Sequence, residues 1–206
     1  MTGAFARLFV LFAALVLGGV VHAAEGGKGE PALNDEGLHV QPWFQLSFLD
    51  LRQDLQEAAE AGKRFAVIWE QRGCIYCRDM HAINFAIPAV NDYVRENFSV
   101  VQLNLFGSRE VTDFDGQVLP EKDLARKWGV VFTPTILYFP ETVDDGTKKP
   151  GKELAVAQMP GYFRPLSFLA MFRYVRENRY GDIHFQKYIA ENLPALRQQV
   201  GGAESQ

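Results

Sequence analysis

Cysteine is nearly absent from this chain: its 206 residues include two, Cys74 and Cys77. A framework of structural disulfides needs more of them at wider spacing. A closed zinc site needs four ligands, and no second Cys-x-x-Cys exists to complete one. Haem attachment is excluded as well, because Arg78 stands after Cys77 where that chemistry requires histidine. Excess positive charge is missing too. Lys and Arg number 21 against 25 Asp and Glu, a net charge of −4 at pH 7, which argues against nucleic acid as a partner. The apolar run at the N-terminus, Leu8 to Val21, falls short of the about 20 residues that a transmembrane helix needs. It follows Arg7 and ends in the small residues Ala23 and Ala24. That layout predicts a secretory signal peptide over residues 1–23, with an uncleaved membrane anchor as the alternative. No cysteine follows the run, so a lipoprotein is not expected.

What is present is an ordinary packed globular composition, 48% hydrophobic and 13% aromatic. With residues 1–23 set aside, the length suits one domain. It is expected over residues 41–195, between a flexible, Gly-rich polar segment at 24–40 and a flexible polar tail at 196–206. In an oxidising compartment, two cysteines three apart bridge only each other, which points to redox chemistry.

Apolar periodicity predicts a helix over Ser47 to Ala61, with Phe48 among its apolar positions and Gly62 where it stops. Phe65 to Trp69 is a continuous apolar run, as in a central strand buried on both faces. Gly73 breaks that strand and the cysteines open the next helix, which Pro88 interrupts and a second piece, Pro88 to Phe98, continues. Ser99 to Leu105 reads as a strand, Phe106 to Leu119 as a loop around the turn signal Asp115-Gly116. Pro120 to Trp128 reads as a short helix closed by Gly129. Ile136 to Phe139 and Glu153 to Met159 predict a hairpin, and Pro165 to Asn178 and His184 to Asn192 two last helices. A short first strand near Trp43 is also expected. Strands alternating with helices imply an α/β sandwich with a parallel core, right-handed crossovers and a late antiparallel edge.

The chemistry concentrates at Gly73-Cys74-Ile75-Tyr76-Cys77-Arg78. Only the thiolate is a nucleophile, and free cysteine titrates near about 8.5, whereas Cys-x-x-Cys thiols at helix N-termini are more acidic. Cys74 directly follows the strand and Gly73, so its sulfur is expected beside unsatisfied N–H groups at the positive end of the helix dipole. Cys77 lies one turn deeper. Cys74 is therefore the expected attacking thiol and Cys77 the resolving one. A soft copper(I) site on Cys74, Cys77 and His81, with Met80 nearby, is the metal-binding alternative. The blander expectation makes His81 a partly buried helix residue and Met80 core. Pro134 should mark a strand's entry, and a cis bond there would let the Thr133 backbone face the cysteines and pair with an extended substrate.

Taken together, Cys74-Ile75-Tyr76-Cys77 on a helix after a buried strand, with Thr133-Pro134-Thr135 downstream before a hairpin and a C-terminal helix, resembles the thioredoxin superfamily over about residues 45–178. The stretches Trp69 to Cys74, Asp113-Phe114-Asp115-Gly116 and Gly161-Tyr162 through Tyr188 are similar to the SoxW-type periplasmic thioredoxins of bacterial sulfur oxidation. The resemblance implies a thioredoxin-like α/β fold, a central mixed sheet flanked by helices with an extra C-terminal helix, and no cofactor beyond the cysteine pair. It further implies a periplasmic dithiol recharged by a membrane thiol-electron transporter of the CcdA/DsbD type, acting on disulfides of exported protein partners, with Ile75, Tyr76, Thr133 and Pro134 facing the substrate. Thioredoxins usually carry a buried Asp six residues before the first cysteine; here Ile68 stands there. Glu70 is the candidate replacement, relaying the proton of Cys77, against the alternative of a solvated carboxylate at the strand's end. An oxidase or isomerase role is the neighbouring functional reading, since the dipeptide between the cysteines tunes the direction.

Overall fold

The computed structural model describes residues 30–144 and 146–201. The expected signal peptide lies outside the described residues. Among those residues, no helix is long and apolar enough to cross a membrane.

The first helix, α1 (Leu51–Glu60), starts later than periodicity suggests. Asp50 caps it, accepting from the Arg52 and Gln53 amides. Ser47 instead builds the turn before it: its hydroxyl accepts from the Leu49 amide and donates to Asp54, and Leu49 takes a left-handed backbone with φ of 64°. Phe48, read as a helix position packing inward, lies before the helix and is 100% exposed.

Asp54 anchors this turn from a buried position, accepting also from Gln45. Burial pushes its carboxyl up to about 6, with Glu57 and Asp50 adding to the rise and the Ser47 hydrogen bond opposing it. A carboxyl raised on folding favours the folded state most when protonated. Its contribution is therefore fullest below its ordinary value of 3.8 and is lost as pH climbs to about 6. In Asp54→Asn this loss is absent. The stability of the variant relative to the natural protein should rise by on the order of 1–2 kcal/mol between pH 4 and pH 7, measured as denaturation midpoints at both pH values.

Strand β1 (Arg64–Glu70) is buried at every position. Ala66 and Ile68 face one apolar cluster, shared with Val90, Leu169 and Phe172. Phe65, Val67 and Trp69 face a second, shared with Leu51, Leu124 and Trp128. This two-sided burial is why the run shows no alternation. Next come α2 (Ile75–Asp79), a π-helical turn (Met80–Asn84), α3 (Pro88–Asn97) and β2 (Phe98–Asn104). The stretch read as a bare loop holds a small hairpin, β3 (Glu110–Thr112) and β4 (Val118–Pro120), around Asp115-Gly116. Helix α4 (Glu121–Trp128) has Pro120 as its cap residue and ends at Gly129, whose φ of 70° suits glycine.

Strand β5 (Thr135–Tyr138), a short helix α5 (Gly151–Leu154), β6 (Ala157–Pro160), α6 (Pro165–Arg176), a 3₁₀ turn (Arg179–Gly181) and α7 (Phe185–Val200) complete the chain. The sheet order is β2-β1-β5-β6. Only β1 and β2 run parallel; β5 is antiparallel to β1, and β6 to β5. The sheet is thus mixed, as the resemblance implies; strand–helix alternation alone suggested a parallel core, but the chain leaving α4 enters β5 opposite Trp69, at the end where β1 finishes. Residues 151–154, assigned in part to a strand by pattern, form α5 instead.

Both domain limits move outward. Helix α7 runs past Pro194 to Val200, since Leu196 and Val200 are buried in the first cluster, so the packed chain does not stop at residue 195. At the other end Leu38 is fully buried, the Asn34 side chain accepts from the Glu36 and Leu38 amides, and Glu36 accepts from Asn104. Residues 34–40 are therefore docked. The segment around Trp43 forms no strand; it is held by the Gln45 amide donating to the Val100 carbonyl.

Candidate active site

The site forms where β1 ends. After Glu70 the chain bends through Gln71, and Gly73 takes φ of 72°, a left-handed turn open to a glycine. Cys74 follows as the cap of α2, and its sulfur accepts the Cys77 amide at 3.0 Å. The sulfur therefore stands where the helix leaves a donor unpaired, as the spacing predicts. The two cysteines are disulfide-bonded, with Cα atoms 5.2 Å apart. Cys74 is 8% exposed and Cys77 0%, so reagents meet Cys74 first.

The Thr133–Pro134 loop faces this pair. The Thr133 hydroxyl donates to the Cys74 sulfur at 3.2 Å, and the Thr133 carbonyl lies 3.5 Å from the same atom. The peptide before Pro134 is cis. Ile75 and Tyr76 are exposed beside the disulfide, and Val131 and Phe132 lead into the loop, exposed as well. Apolar and ambivalent side chains, together with the backbone of the proline loop, thus surround the less deeply buried of the two sulfurs.

Tyr162, which the residue pattern did not single out as part of a site, borders the same region. Its ring stacks on Tyr76, centroids 6.3 Å apart, while its hydroxyl donates to Asn84 on the π turn. The Gly161 amide donates to the Pro134 carbonyl, fixing the Gly161-Tyr162 corner to the proline loop. A glycine-aromatic pair directly after the hairpin was the available signal.

Glu70 is not a solvated strand-end carboxylate. It is 0% exposed on the face of β1 that Ile68 also uses, and its Oε1 is 2.8 Å from Nε2 of His81. Oε2 has no partner. His81 is fully buried rather than partly so, and its Nδ1 meets the Gln41 amide nitrogen at 3.0 Å. Both ring nitrogens of His81 are thus engaged within this buried network. Among the described residues, no three His, Cys, Asp or Glu side chains are grouped to hold a metal. Met80 is core.

Fold and site together define a dithiol protein built on a mixed sheet, and sequence comparison agrees. The model of the thioredoxin-like domain family matches residues 51–176, and the chain belongs to that family, within the thioredoxin superfamily. Among curated proteins none matches. The fold is similar to that of a thioredoxin-fold protein from Helicobacter pylori, at 20% identity, a TM-score of 0.50 and coverage of 68% of this chain and 85% of that one. Weaker likenesses join it to a thioredoxin from Thermus thermophilus, at 21% identity and TM-score 0.46 over 61% and 83% of the two chains. A third is to the C-terminal domain of DsbD from Neisseria meningitidis in its oxidised form, at 16% and 0.40 over 61% and 89%.

Proposed function

We propose that this protein is an exported thiol-disulfide oxidoreductase that reduces disulfides in protein partners. The observation that carries the reading is the Cys74 sulfur, capping α2 as the less buried of the two and receiving the Cys77 amide. In the reduced form the same amide stabilises a thiolate there. That thiolate attacks a partner's disulfide and expels one partner thiol; Cys77 then attacks the Cys74 sulfur, regenerates the internal disulfide and expels the second. The Thr133 backbone supplies an edge for an extended partner segment, with Ile75, Tyr76 and Pro134 lining it. Glu70 takes the proton that Cys77 gives up.

The finer reading is a periplasmic location, recharging by a membrane thiol-electron transporter of the CcdA/DsbD type, and a SoxW-like place in sulfur oxidation. The predicted signal peptide and the resemblance support it. Direction is read from the reduction potential. Equilibration with a glutathione or dithiothreitol couple should give a value near that of thioredoxin, about −270 mV. A value near about −120 mV, that of a strong periplasmic oxidant, would instead make the protein an oxidase.

A further inference from the structure

A hydrogen-bond chain runs from the protein's N-terminal segment to Glu70, and its polarity is fixed at the far end. The Trp43 indole can only donate, and it donates to Oδ1 of Asn91. The Asn91 amide nitrogen in turn donates to the Phe85 carbonyl and to Oε1 of Gln41. Two unambiguous partners, an indole N–H and a backbone carbonyl, thus orient Asn91, and Asn91 orients Gln41. The Gln41 amide nitrogen is left to donate to Nδ1 of His81. An accepting Nδ1 carries no proton, so the ring is neutral, protonated at Nε2, and donates from Nε2 to Glu70 Oε1. Glu70 keeps one oxygen engaged and one, Oε2, buried and without a partner among the described residues. A bare buried carboxylate oxygen is costly unless a proton or donor visits it.

We propose that Trp43, Asn91, Gln41 and His81 are positioning residues that hold His81 as the neutral Nε2–H tautomer. They thereby make Glu70 Oε2, and not the imidazole, the seat of the proton released by Cys77. The inference rests on the oxidoreductase reading. In the resolving step the Cys77 S–H proton passes to Glu70, directly or across one water. The Cys77 sulfur then bonds to Cys74, the bond from Cys74 to the partner's sulfur breaks, and the partner leaves as thiolate with the electron pair. Cys77 lies four residues before His81 on the same helical run, about one turn away, and both are buried. Phe44, Phe85 and His39 pack on the His81 ring, at centroid distances of 5.8, 5.4 and 5.9 Å. His39 is therefore the titratable neighbour from the N-terminal segment, and Glu70 the one from β1. Gln41 and Trp43 lie outside the family's matched span of 51–176, so this control is an addition to the common fold.

The test pairs a spectrum with a rate. Long-range proton–nitrogen spectra of the natural protein should show His81 protonated at Nε2 alone. In Gln41→Glu the new carboxylate still accepts from Asn91 and also accepts from Nδ1, so the ring should become doubly protonated. A symmetrical aromatic disulfide releases one thiolate when Cys74 attacks and a second when Cys77 resolves, and stopped flow separates the two phases. Gln41→Glu should slow the second phase about tenfold and move its pH profile downward, and Glu70→Gln should slow it about 100-fold, with the first phase unchanged in both. Should Gln41→Glu fail to fold, Gln41→Leu should yield a mixture of both tautomers. A natural protein with Nδ1 protonated overturns the proposal, and so does an unaltered second phase in Glu70→Gln. Absence of the first phase from the natural protein would instead remove the oxidoreductase reading, while the spectrum still decides the tautomer.

Discussion

Cys77→Ser should accumulate a covalent adduct with a partner protein through Cys74, whereas Cys74→Ser should form none, and turnover of a protein disulfide should fall to the uncatalysed background in both. The asymmetry follows from depth. The Cys74 sulfur sits at the rim beside Thr133, while Cys77 is fully buried one turn beneath it. In Cys77→Ser the first exchange proceeds and nothing displaces the mixed disulfide, so it persists. In Cys74→Ser the surviving thiol has no access to a partner and lacks the capping position that favours its thiolate. Non-reducing electrophoresis with mass spectrometry of the adduct measures this. Equal trapping by the two variants would reverse or abolish the assigned roles.

Asp113→Ala should destabilise the folded protein by about 3–5 kcal/mol, the range for stripping one partner from a buried charged cluster. Asp113 is buried and accepts from four donors. Oδ1 receives the Phe114 and Gly151 amides at 2.8 and 2.9 Å. Oδ2 receives the Trp128 indole at 3.1 Å and the Lys127 ammonium at 2.7 Å. Lys127 retains Asp115 after the change, but the indole and the Gly151 amide keep nothing. Space is tight as well: a Cβ on Gly151 would stand 2.2 Å from the Trp128 ring. Because Trp128 packs edge-on against Trp69 in β1, the damage reaches the strand that carries the redox turn. Chemical denaturation gives the value; a loss below about 1 kcal/mol would show that the cluster is not a clamp.

The redox turn was readable because each of its parts has a local cause. A continuous apolar run means burial on both faces, Gly73 permits the left-handed turn, and a cysteine before a helix becomes its cap. Gly129 and the hairpin after Pro134 were readable for the same kind of reason. Strand direction was not, since Ile136 to Phe139 looks alike whichever way it runs, and only the return path through α4 makes it antiparallel. Strands β3 and β4 are not legible because each has only three residues, too few for an alternation to stand out from a loop. Phe48 misled because helical spacing does not reveal that the Ser47 turn precedes the helix. Glu70 was visible as a residue and its burial was not: the partner that accounts for it, His81, is eleven positions on, and the one that orients His81 lies next to a polar stretch read as loose.

That stretch also has a mechanical consequence. The outer side of β2 faces no further strand in the sheet, yet residues 36–45 lie along it, with the Gln45 amide on Val100, Gln102 on the His39 carbonyl and Asn104 on Glu36. Unshielded strand borders invite other chains to pair with them. A polypeptide trimmed to the family's limits would bare that border, so the segment expected to be loose is the cover of an edge strand.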